Sequence, residues 1–309
     1  MEASTPVKSL DQAAPGADPR ADGALAPEGA PGALPNLIVI GAQKCGTSAL
    51  NYYLSLHPEV SMSKPKELNF FIEERNWPRG IDWYKGHFDA AARVRGEASP
   101  NYTAFPQHQG VPERMHSVVP DARLIYMIRD PLERIAAHWV HNYAKRREKG
   151  TLAETLTHPN TSYVTRSMYA MQLERFLVHY PKERVLVFQQ SELRLERMET
   201  LLRIFAFLGV DRDFRHPRFE QERHQTSGKT RATRLAVKLE KMGRSRRGRM
   251  IPANFWLVLD DRLPLRRAIK RPDVRASLPP DTLEELRADG RRLRELTGRD
   301  FANWTIWDA

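Results

Sequence analysis

The stretch LIVIGAQKCGTSALNYYL, residues 37–54, decides the fold class of this 309-residue chain. It begins with the continuous apolar run LIVI, which predicts a strand buried on both faces. A glycine-containing loop follows, and from Thr47 the spacing of Leu50, Tyr53 and Leu54 predicts an amphipathic helix. A buried strand, a glycine loop and a helix in this order indicate an α/β domain with an anion-binding loop.

The loop GAQKCGTS resembles a phosphate-binding loop whose lysine is displaced. Gly41 and Gly46 have the spacing of a Walker A loop, but a Walker lysine follows the second glycine, whereas Lys44 lies inside the loop. Backbone N–H groups that precede a helix, together with the hydroxyls of Thr47 and Ser48, still form an anion site. The alternative is a tight turn that needs glycine only for its conformation. The position between a buried strand and a helix favours the anion site.

Further along the chain, apolar runs alternate with amphipathic segments. We predict strands over RVRGEAS (93–99), ARLIYMI (122–128) and ERVLVFQQ (183–190), and helices over residues 47–56, 129–143, 167–180, 196–210 and 279–298. This alternation predicts an α/β fold, with a P-loop-like central parallel sheet and helices on both faces. Ligands bind at the carboxyl ends of such strands, where both the loop and the segment RDP lie.

Charge and composition narrow the class of partner. The net charge is +11, which favours an anionic partner. The single cysteine, Cys45, excludes an intramolecular disulfide and a cysteine-based metal site. The sequence has no signal peptide and no apolar run long enough to span a membrane, so we expect a cytoplasmic protein.

The two ends of the chain differ in composition. Residues 1–33 are rich in Ala, Pro, Gly and Asp and have almost no large apolar side chains, so we expect a disordered tail. Residues 34–309 are expected to form a single domain. Within it, the stretch 222–275 is basic and irregular apart from the apolar patch ANFWLVL, and the terminal NWTIW is expected to pack its tryptophans onto the domain.

Several blocks in a fixed order resemble the PAPS-dependent sulfotransferases, especially the heparan sulfate sulfotransferases and bacterial enzymes of that superfamily. They cover roughly residues 36–210 and comprise IVIGAQKCGTSALNYYLSLHPEV, KELNFF, GIDWYKGHF, GEASPNY, VPERMHSVVPDARLIYMIRDPLER and SMYAMQLERFL. A weaker likeness continues through HQTSGKTR to LTGRDFANW. The resemblance implies the sulfotransferase fold. It also implies transfer of a sulfuryl group to a hydroxyl or amine, with 222–275 as a variable region that covers the cofactor and acceptor.

The resemblance assigns the donor site. In that family the loop binds the 5′-phosphosulfate of 3′-phosphoadenosine 5′-phosphosulfate (PAPS), and Arg129 matches the arginine that binds the 3′-phosphate. Lys229 and Arg231 align loosely with the nucleotide-clasping loop. No metal is implied, because the donor has no β/γ-phosphate pair for magnesium to bridge, and the product is adenosine 3′,5′-bisphosphate (PAP). The implied donor residues of the loop are Gly41, Gln43, Lys44, Cys45, Gly46, Thr47 and Ser48.

The resemblance also assigns the catalytic groups. Glu67 falls where heparan-type enzymes carry the catalytic glutamate, which would take the proton from the acceptor. Lys44 would stabilise the leaving phosphate. The neighbouring Phe70 and Phe71 predict partial desolvation of the Glu67 carboxylate, an effect that nearby lysines would oppose.

Three positions depart from the family pattern. Asn69 stands where a histidine is often found, Ala98 replaces the lysine of the EKTP block, and Ala137 replaces a serine that contacts the nucleotide. The absence of the lysine at Ala98 argues against a heparan-like acceptor though not against sulfuryl transfer, and Ala137 implies one lost hydroxyl contact.

Four other side chains are interpreted as structural or surface residues rather than as parts of a functional site. We interpret Glu97 as a structural residue at a strand end rather than an acceptor contact, and we expect Arg134 on a helix surface or in a salt bridge. His138 and His141 share a helix face but have no evident third metal ligand.

The acceptor and the reaction class keep alternatives. A carbohydrate or glycolipid is our first expectation for the acceptor, anionic acceptors included, and a phenolic or glycopeptide natural product is the alternative. From other classes, an ATP-dependent P-loop phosphotransferase would need magnesium. A nucleic-acid-binding protein is suggested by the basic run GRSRRGR, although such runs are usually solvated surface, so we expect no nucleic-acid partner.

Overall fold

A five-stranded parallel sheet with strand order β2-β3-β1-β4-β5 forms the centre of the protein. The structure is a computed structural model that describes residues 32–157, 161–221, 230–232 and 266–308, with the backbone only at 230–232, 266 and 267. The strands are β1 (Leu37–Gly41), β2 (Val60–Met62), β3 (Val94–Ala98), β4 (Arg123–Ile128) and β5 (Val185–Gln189). The predicted parallel α/β sheet is therefore confirmed.

Strands β1 and β4 have the burial that their apolar runs predict, whereas Phe188 is the one buried residue of the edge strand β5. Every residue of β1 is buried, and β4 is buried from Leu124 onward. The edge strand β2 was not predicted from the sequence. It pairs with β3 alone, and its three residues, VSM, are too few to form a recognisable apolar run.

Helices cover both faces of the sheet. They are α1 (Thr47–Leu54), α2 (Gly80–Lys85), α3 (Val111–Val118), α4 (Pro131–Ala144), α5 (Leu152–Leu156), α6 (Ser162–Thr165), α7 (Tyr169–Leu177), α8 (Gln190–Leu195), α9 (Arg197–Leu208) and α10 (Pro280–Thr297). Leu37 and Val39 of β1 pack in one core with α1 and α9. Ile38 and Ile40 pack on the opposite face with α3, α4, α7 and α10. This alternation explains why the strand is apolar at every position.

The C-terminal segment packs onto the domain as the sequence predicts. Trp304 is buried, stacks on Phe301 at 4.5 Å between ring centroids, and donates its indole N–H to Gln189 Oε1 at 2.6 Å. Asp130 accepts hydrogen bonds from the backbone N–H groups of Glu133 and Thr305. Asp130 thus caps α4 and anchors the C-terminal segment.

Several sequence expectations lie outside the described residues. These are most of the tail 1–33, the patch ANFWLVL, and residues 222–229 and 233–265 of the basic stretch. From that stretch the structure describes a short antiparallel pair, β6 (Thr230–Ala232) and β7 (Arg266–Ala268). Across the described ranges, no helix combines the length and the apolar character needed to cross a membrane.

Asp289 on α10 caps the start of α7. Its two carboxylate oxygens accept the N–H groups of Ala170 and Met171, each at 2.9 Å. Burial raises the pKa of this carboxyl from its ordinary 3.8 to about 6. Because the folded state then holds the proton more tightly than the unfolded chain, the free energy of unfolding falls as pH rises from about 4 to about 6.

We expect Asp289→Asn to remove this pH dependence. A shift from 3.8 to about 6 corresponds to roughly 3 kcal/mol. The parent's stability relative to the variant should therefore decline by up to that amount between pH 4 and pH 7, as measured by urea unfolding. The lost bond to one backbone N–H adds a difference that does not vary with pH. Asp281→Asn, on the exposed face of the same helix, is the control, and a pH-independent difference for Asp289→Asn would contradict the assignment.

Candidate active site

The loop between β1 and α1 leaves the amino end of the helix open. Lys44 and Gly46 have positive φ angles of 72° and 96°, and Gly46 occupies the N-cap position of α1 without any side-chain cap. The first turn contains no acidic residue, and the backbone bonds begin with the N–H groups of Ala49 and Leu50, which donate to Gly46 O. The earlier N–H groups therefore have no intrahelical acceptor, and the helix dipole favours an anion there.

Steric contacts explain the two glycines of the loop. A Cβ on Gly41 would lie 2.1 Å from Thr103 Oγ1, and a Cβ on Gly46 would lie 2.7 Å from Met127 Cε. Any side chain at Gly41 would collide with the neighbouring segment. At Gly46 the positive φ adds a conformational requirement that glycine meets without strain. The Walker-like spacing is thus a packing requirement as well as a feature of the anion site.

Two arginines of the β4–α4 region donate hydrogen bonds to backbone carbonyl groups of the loop. Arg129 Nη1 donates to Lys44 O at 3.3 Å, and Arg134 Nη1 donates to Gln43 O at 3.4 Å. Arg134 also donates to Ser167 Oγ at 2.5 Å and to Tyr163 O at 2.6 Å. Both guanidinium groups therefore bind backbone carbonyl oxygens of the loop.

The expectation for Arg134 was wrong. Its side chain is completely buried, and its hydrogen bonds go to carbonyl and hydroxyl oxygens rather than to a carboxylate. The reason is that the first turns of α4 pack beneath the loop, where backbone carbonyls supply the acceptors that a buried guanidinium requires.

Arg129 belongs to a chain of ion pairs at the start of α4. Its Nη2 atom lies 2.8 Å from Glu133 Oε2, and the same oxygen lies 2.5 Å from Arg271 Nη2. Two guanidinium groups therefore converge on one carboxylate beside the loop. Arg271 was missed in the sequence because it lies in the irregular basic stretch, where no periodic pattern marks it.

The remaining donor-site residues have different surroundings. Cys45 is buried with its Sγ 3.7 Å from the Tyr169 hydroxyl, and burial raises the pKa of this thiol, so the neutral form is favoured. Gln43 has a buried Oε1 without a hydrogen-bond partner among the described residues. Thr47 is buried and Ser48 is half-buried.

The side chains of the two loosely aligned basic residues lie outside what the structure describes. Lys229 lies outside the described residues. Arg231 is described only through its backbone, which pairs with Arg267 across β6 and β7.

Glu67 lies on an exposed turn that follows β2. The backbone at Glu67 and Asn69 is left-handed, with φ angles of 69° and 49°. The Glu67 side chain is 43% exposed and lies 2.7 Å from Lys66 Nζ. Phe70 and Phe71 are buried in the core. The expected partial desolvation of Glu67 is therefore not observed.

Hydrogen bonds on two sides hold this turn. Asn69 Nδ2 donates to Glu67 O at 2.7 Å, and Asn69 N donates to Ser99 Oγ at 2.9 Å. Asn101 Nδ2 donates to Asn69 Oδ1 at 3.1 Å, and Arg166 Nη1 donates to Asn101 Oδ1 at 3.0 Å. The sequence analysis named none of Ser99, Asn101 and Arg166 as site residues. The only signal in the sequence was their place in the blocks GEASPNY and next to SMYAMQLERFL.

Glu97 is a structural residue, as the sequence analysis preferred. Its carboxylate is fully buried and accepts hydrogen bonds from the hydroxyls of Tyr84, Ser99 and Tyr102. Burial raises the pKa of this carboxyl despite the three donors. A carboxylate enclosed in this way cannot meet an acceptor without rearrangement of its cage.

Two of the positions that depart from the family pattern, and the histidine on α4 considered as a metal ligand, are buried. Ala98 and Ala137 are 0% and 3% exposed. His138 is also buried, and burial together with the Arg134 charge holds the pKa of its imidazole well below 6.5, so it is neutral. Within the described ranges, no group of three or more His, Cys, Asp or Glu residues is arranged to hold a metal ion.

Comparisons with known proteins agree with this geometry. The profile of the family described as "Sulfotransferase domain" matches residues 34–249. The mouse bifunctional heparan sulfate N-deacetylase/N-sulfotransferase 3 is 30% identical over 199 residues, which cover 57% of this chain and 22% of that protein. The mouse heparan sulfate glucosamine 3-O-sulfotransferase 5 is 30% identical over 191 residues, which cover 57% of this chain and 54% of that protein.

A solved structure shares the fold over most of this chain. The crystal structure of a sulfotransferase from Alicyclobacillus acidocaldarius is 26% identical, has a TM-score of 0.60, and covers 88% of this chain and 99% of its own. The α/β sheet seen here is therefore the sulfotransferase fold. With the family profile over most of the chain, this shows that the protein belongs to the PAPS-dependent sulfotransferase superfamily.

Proposed function

We propose that this protein transfers a sulfuryl group from PAPS to a hydroxyl or amine of an acceptor, with a carbohydrate or glycolipid as the acceptor class. The observation that carries the proposal is the position of Lys44 in a loop that opens onto the uncapped amino end of α1. A loop of this kind accommodates an anionic group, and the adjacent Arg129 provides a second cationic position.

The two cationic positions suit the two ends of one nucleotide. The loop and Lys44 would hold the 5′-phosphosulfate, and Arg129 would hold the 3′-phosphate. Glu133 now pairs with both Arg129 and Arg271. A bound phosphate would take the place of this carboxylate as the partner of the two guanidinium groups, whose donors fit phosphate oxygens in pairs.

The reaction assigns separate tasks to Lys44 and Glu67. PAPS supplies the sulfuryl group and the leaving phosphate, so that PAP is the product. When the S–O bond of PAPS breaks, its electron pair stays on the phosphate oxygen. Lys44 stabilises the negative charge that this oxygen gains. Glu67 takes the proton of the acceptor as its oxygen or nitrogen bonds to sulfur. We propose no metal in this reaction, because the charge that develops is met by Lys44 and the loop.

Two arguments support the carbohydrate class and the sulfuryl reaction. The names of the two heparan sulfate sulfotransferases reported above specify a carbohydrate substrate. A phenolic or glycopeptide acceptor has no comparable support. A phosphotransferase that uses ATP would need an acidic metal ligand at a strand end. Asp130, the nearest residue of this kind, instead caps α4 and binds Thr305.

Nucleotide selectivity tests the donor assignment. We expect PAP to bind about 10- to 100-fold more tightly than AMP, since the 3′-phosphate adds charge-assisted hydrogen bonds worth about 1.5–3 kcal/mol. Isothermal titration calorimetry with both nucleotides measures the ratio, and ATP with and without magnesium serves as the control for a phosphotransferase. Equal affinities for PAP and AMP would contradict the proposal. A PAPS assay with labelled sulfate against a glycan panel then identifies the acceptor, and EDTA should leave that activity intact.

A further inference from the structure

Arg166 lies between α6 and α7. Its side chain belongs to the buried polar groups, with 8% exposure. Arg166 Nη1 donates to Asn101 Oδ1 at 3.0 Å. The bond links the α6–α7 junction to the segment that follows β3, and neither the family resemblance nor the proposed reaction gives it a role.

A chain of side-chain amides connects Arg166 to the turn that carries Glu67. From Asn101 the chain continues to Asn69 Oδ1 at 3.1 Å, and from Asn69 Nδ2 to the carbonyl oxygen of Glu67 at 2.7 Å. Each side-chain amide accepts at its oxygen and donates from its nitrogen. We call the residues Arg166, Asn101 and Asn69 the amide relay.

The two ends of the amide relay fix its polarity. A guanidinium has only donors, and a carbonyl oxygen only accepts. Asn101 must therefore turn its oxygen toward Arg166, which leaves its NH2 for Asn69, and Asn69 must in turn aim its own NH2 at the Glu67 carbonyl. Without the donor of Arg166, Asn101 Oδ1 loses its partner, and the Glu67 carbonyl is the one remaining end that orients the two amides.

The bond to the Glu67 carbonyl acts on a strained backbone. The left-handed φ angle of 69° at Glu67 disfavours a residue with a Cβ by roughly 1–2 kcal/mol, whereas Asn69, at 49°, is of a type that adopts this region more readily. Such a conformation persists only where the surroundings impose it. Because the Cα–Cβ direction follows the backbone, a change in the turn redirects the Glu67 carboxylate.

We propose that Arg166 is a positioning residue, which sets the direction of the Glu67 carboxylate through Asn101 and Asn69. The inference rests on the proposed function, in which Glu67 takes the acceptor proton. It also gives Asn69 a task at the position where the family often has histidine.

A separate contact keeps the turn folded when the amide relay is broken. Asn69 N donates to Ser99 Oγ, which itself donates to the buried Glu97 carboxylate at 2.5 Å. This contact does not involve Arg166. Variants of Arg166 should therefore retain the fold and change the direction of Glu67 rather than the stability of the core.

The first test compares Arg166→Met with Arg166→Lys. Methionine keeps an apolar stem and removes the donors, and we expect kcat to fall about 10- to 100-fold, as for a misdirected catalytic group. Lysine retains a donor for Asn101 Oδ1 and should recover most of the lost rate. PAP affinity, measured by calorimetry, should be unchanged in both variants. Equal kcat for Arg166→Met and the parent would overturn the proposal.

The control is a second arginine that anchors the same segment by another route. Arg114 Nε donates to Phe71 O at 2.9 Å and has no bond to the amide relay. Arg114→Met should therefore leave kcat near the parent value. A loss as large as that of Arg166→Met would mean that loosening the segment in general is sufficient, which would overturn a specific role for Arg166.

A double-variant cycle separates a positioning role from a direct one. If Arg166 acts through Glu67, Arg166→Met should have no further effect on kcat in the Glu67→Gln background. Asn101→Leu, which interrupts the relay and keeps the arginine, should lower kcat as Arg166→Met does. Additive losses, or an effect of Arg166→Met that Asn101→Leu does not share, would instead indicate direct contact with the acceptor. Failure of the parent to bind PAP would refute the proposed function, a result distinct from each of these.

Discussion

Glu67→Gln is expected to lower kcat by about 10²–10⁴-fold, the usual contribution of general base catalysis. The amide keeps the size of the side chain but cannot accept the acceptor proton. PAP affinity should stay near the parent value, because Glu67 lies on the turn after β2 and is assigned no contact with the nucleotide. Single-turnover rates with PAPS and a confirmed acceptor, together with calorimetry for PAP, measure the two effects.

The exposure of Glu67 makes this a clean experiment. Its side chain is 43% exposed and pairs with Lys66 at 2.7 Å, and an exposed ion pair of this kind contributes about 0–1 kcal/mol to stability. The variant should therefore melt near the parent temperature. Glu73→Gln is the matched control, since Glu73 is an exposed carboxylate of the same segment whose partner is Arg114.

Near-parental turnover of Glu67→Gln would assign the base to another group. Glu97 is a poor substitute because three hydroxyl groups enclose its buried carboxylate. His87 is better suited, since burial lowers the pKa of its imidazole and the neutral form can accept a proton. The variant His87→Gln would then be the next measurement.

The central sheet could be predicted because its buried strands consist of consecutive apolar residues. In β1 both faces of the strand meet a hydrophobic core, so the run LIVI is apolar throughout and needs no tertiary information. The edge strand β2 has no such run, because it contains only three residues. Helix ends were predicted to within a few residues, as expected from fraying and capping.

The environment of the charged residues could not be predicted in the same way. Arg134 follows the start of α4 at a spacing that suits a helix surface, yet its partners come from the loop and from α6. Arg166 and Asn101 are 65 residues apart in the chain. Sequence spacing describes one element at a time, whereas a buried polar contact depends on how several elements pack.

The candidate site was accessible from the sequence where it lies within one motif. The anion loop is a local feature, so its glycines could be proposed from their spacing and from their position between a buried strand and a helix, and the role of Lys44 came from the family resemblance. Glu67 required the family resemblance, because a glutamate that follows two lysines in a charged loop otherwise predicts a surface residue. The ion-pair chain through Arg271 depends on a segment that joins α4 only in the fold.

Lys44→Ala is expected to lower both kcat and nucleotide affinity, in contrast to Glu67→Gln. Lys44 is the one lysine inside the loop, and its charge would act on the bound phosphosulfate as well as on the phosphate oxygen that gains charge as sulfur departs. Removing one such group should reduce kcat by about 10²–10³-fold. Loss of a hydrogen bond to a charged group should weaken PAP binding by about 10- to 100-fold.

The design of this test follows from the position of the loop. Alanine and lysine face the same cost at a φ of 72°, so the substitution changes the charge without a new backbone requirement. Lys182→Ala is the control, because Lys182 is exposed and precedes β5, at the end of the sheet opposite the loop. It removes the same charge and should leave both quantities unchanged.

If Lys44→Ala lowered kcat alone, the lysine would act only in the transition state, and the ground-state phosphosulfate would be held by the backbone N–H groups of the loop. If the variant lowered PAP affinity alone, the charge would serve binding and the stabilisation of the leaving group would have to come from elsewhere, with Arg129 as the nearest cation that contacts the loop.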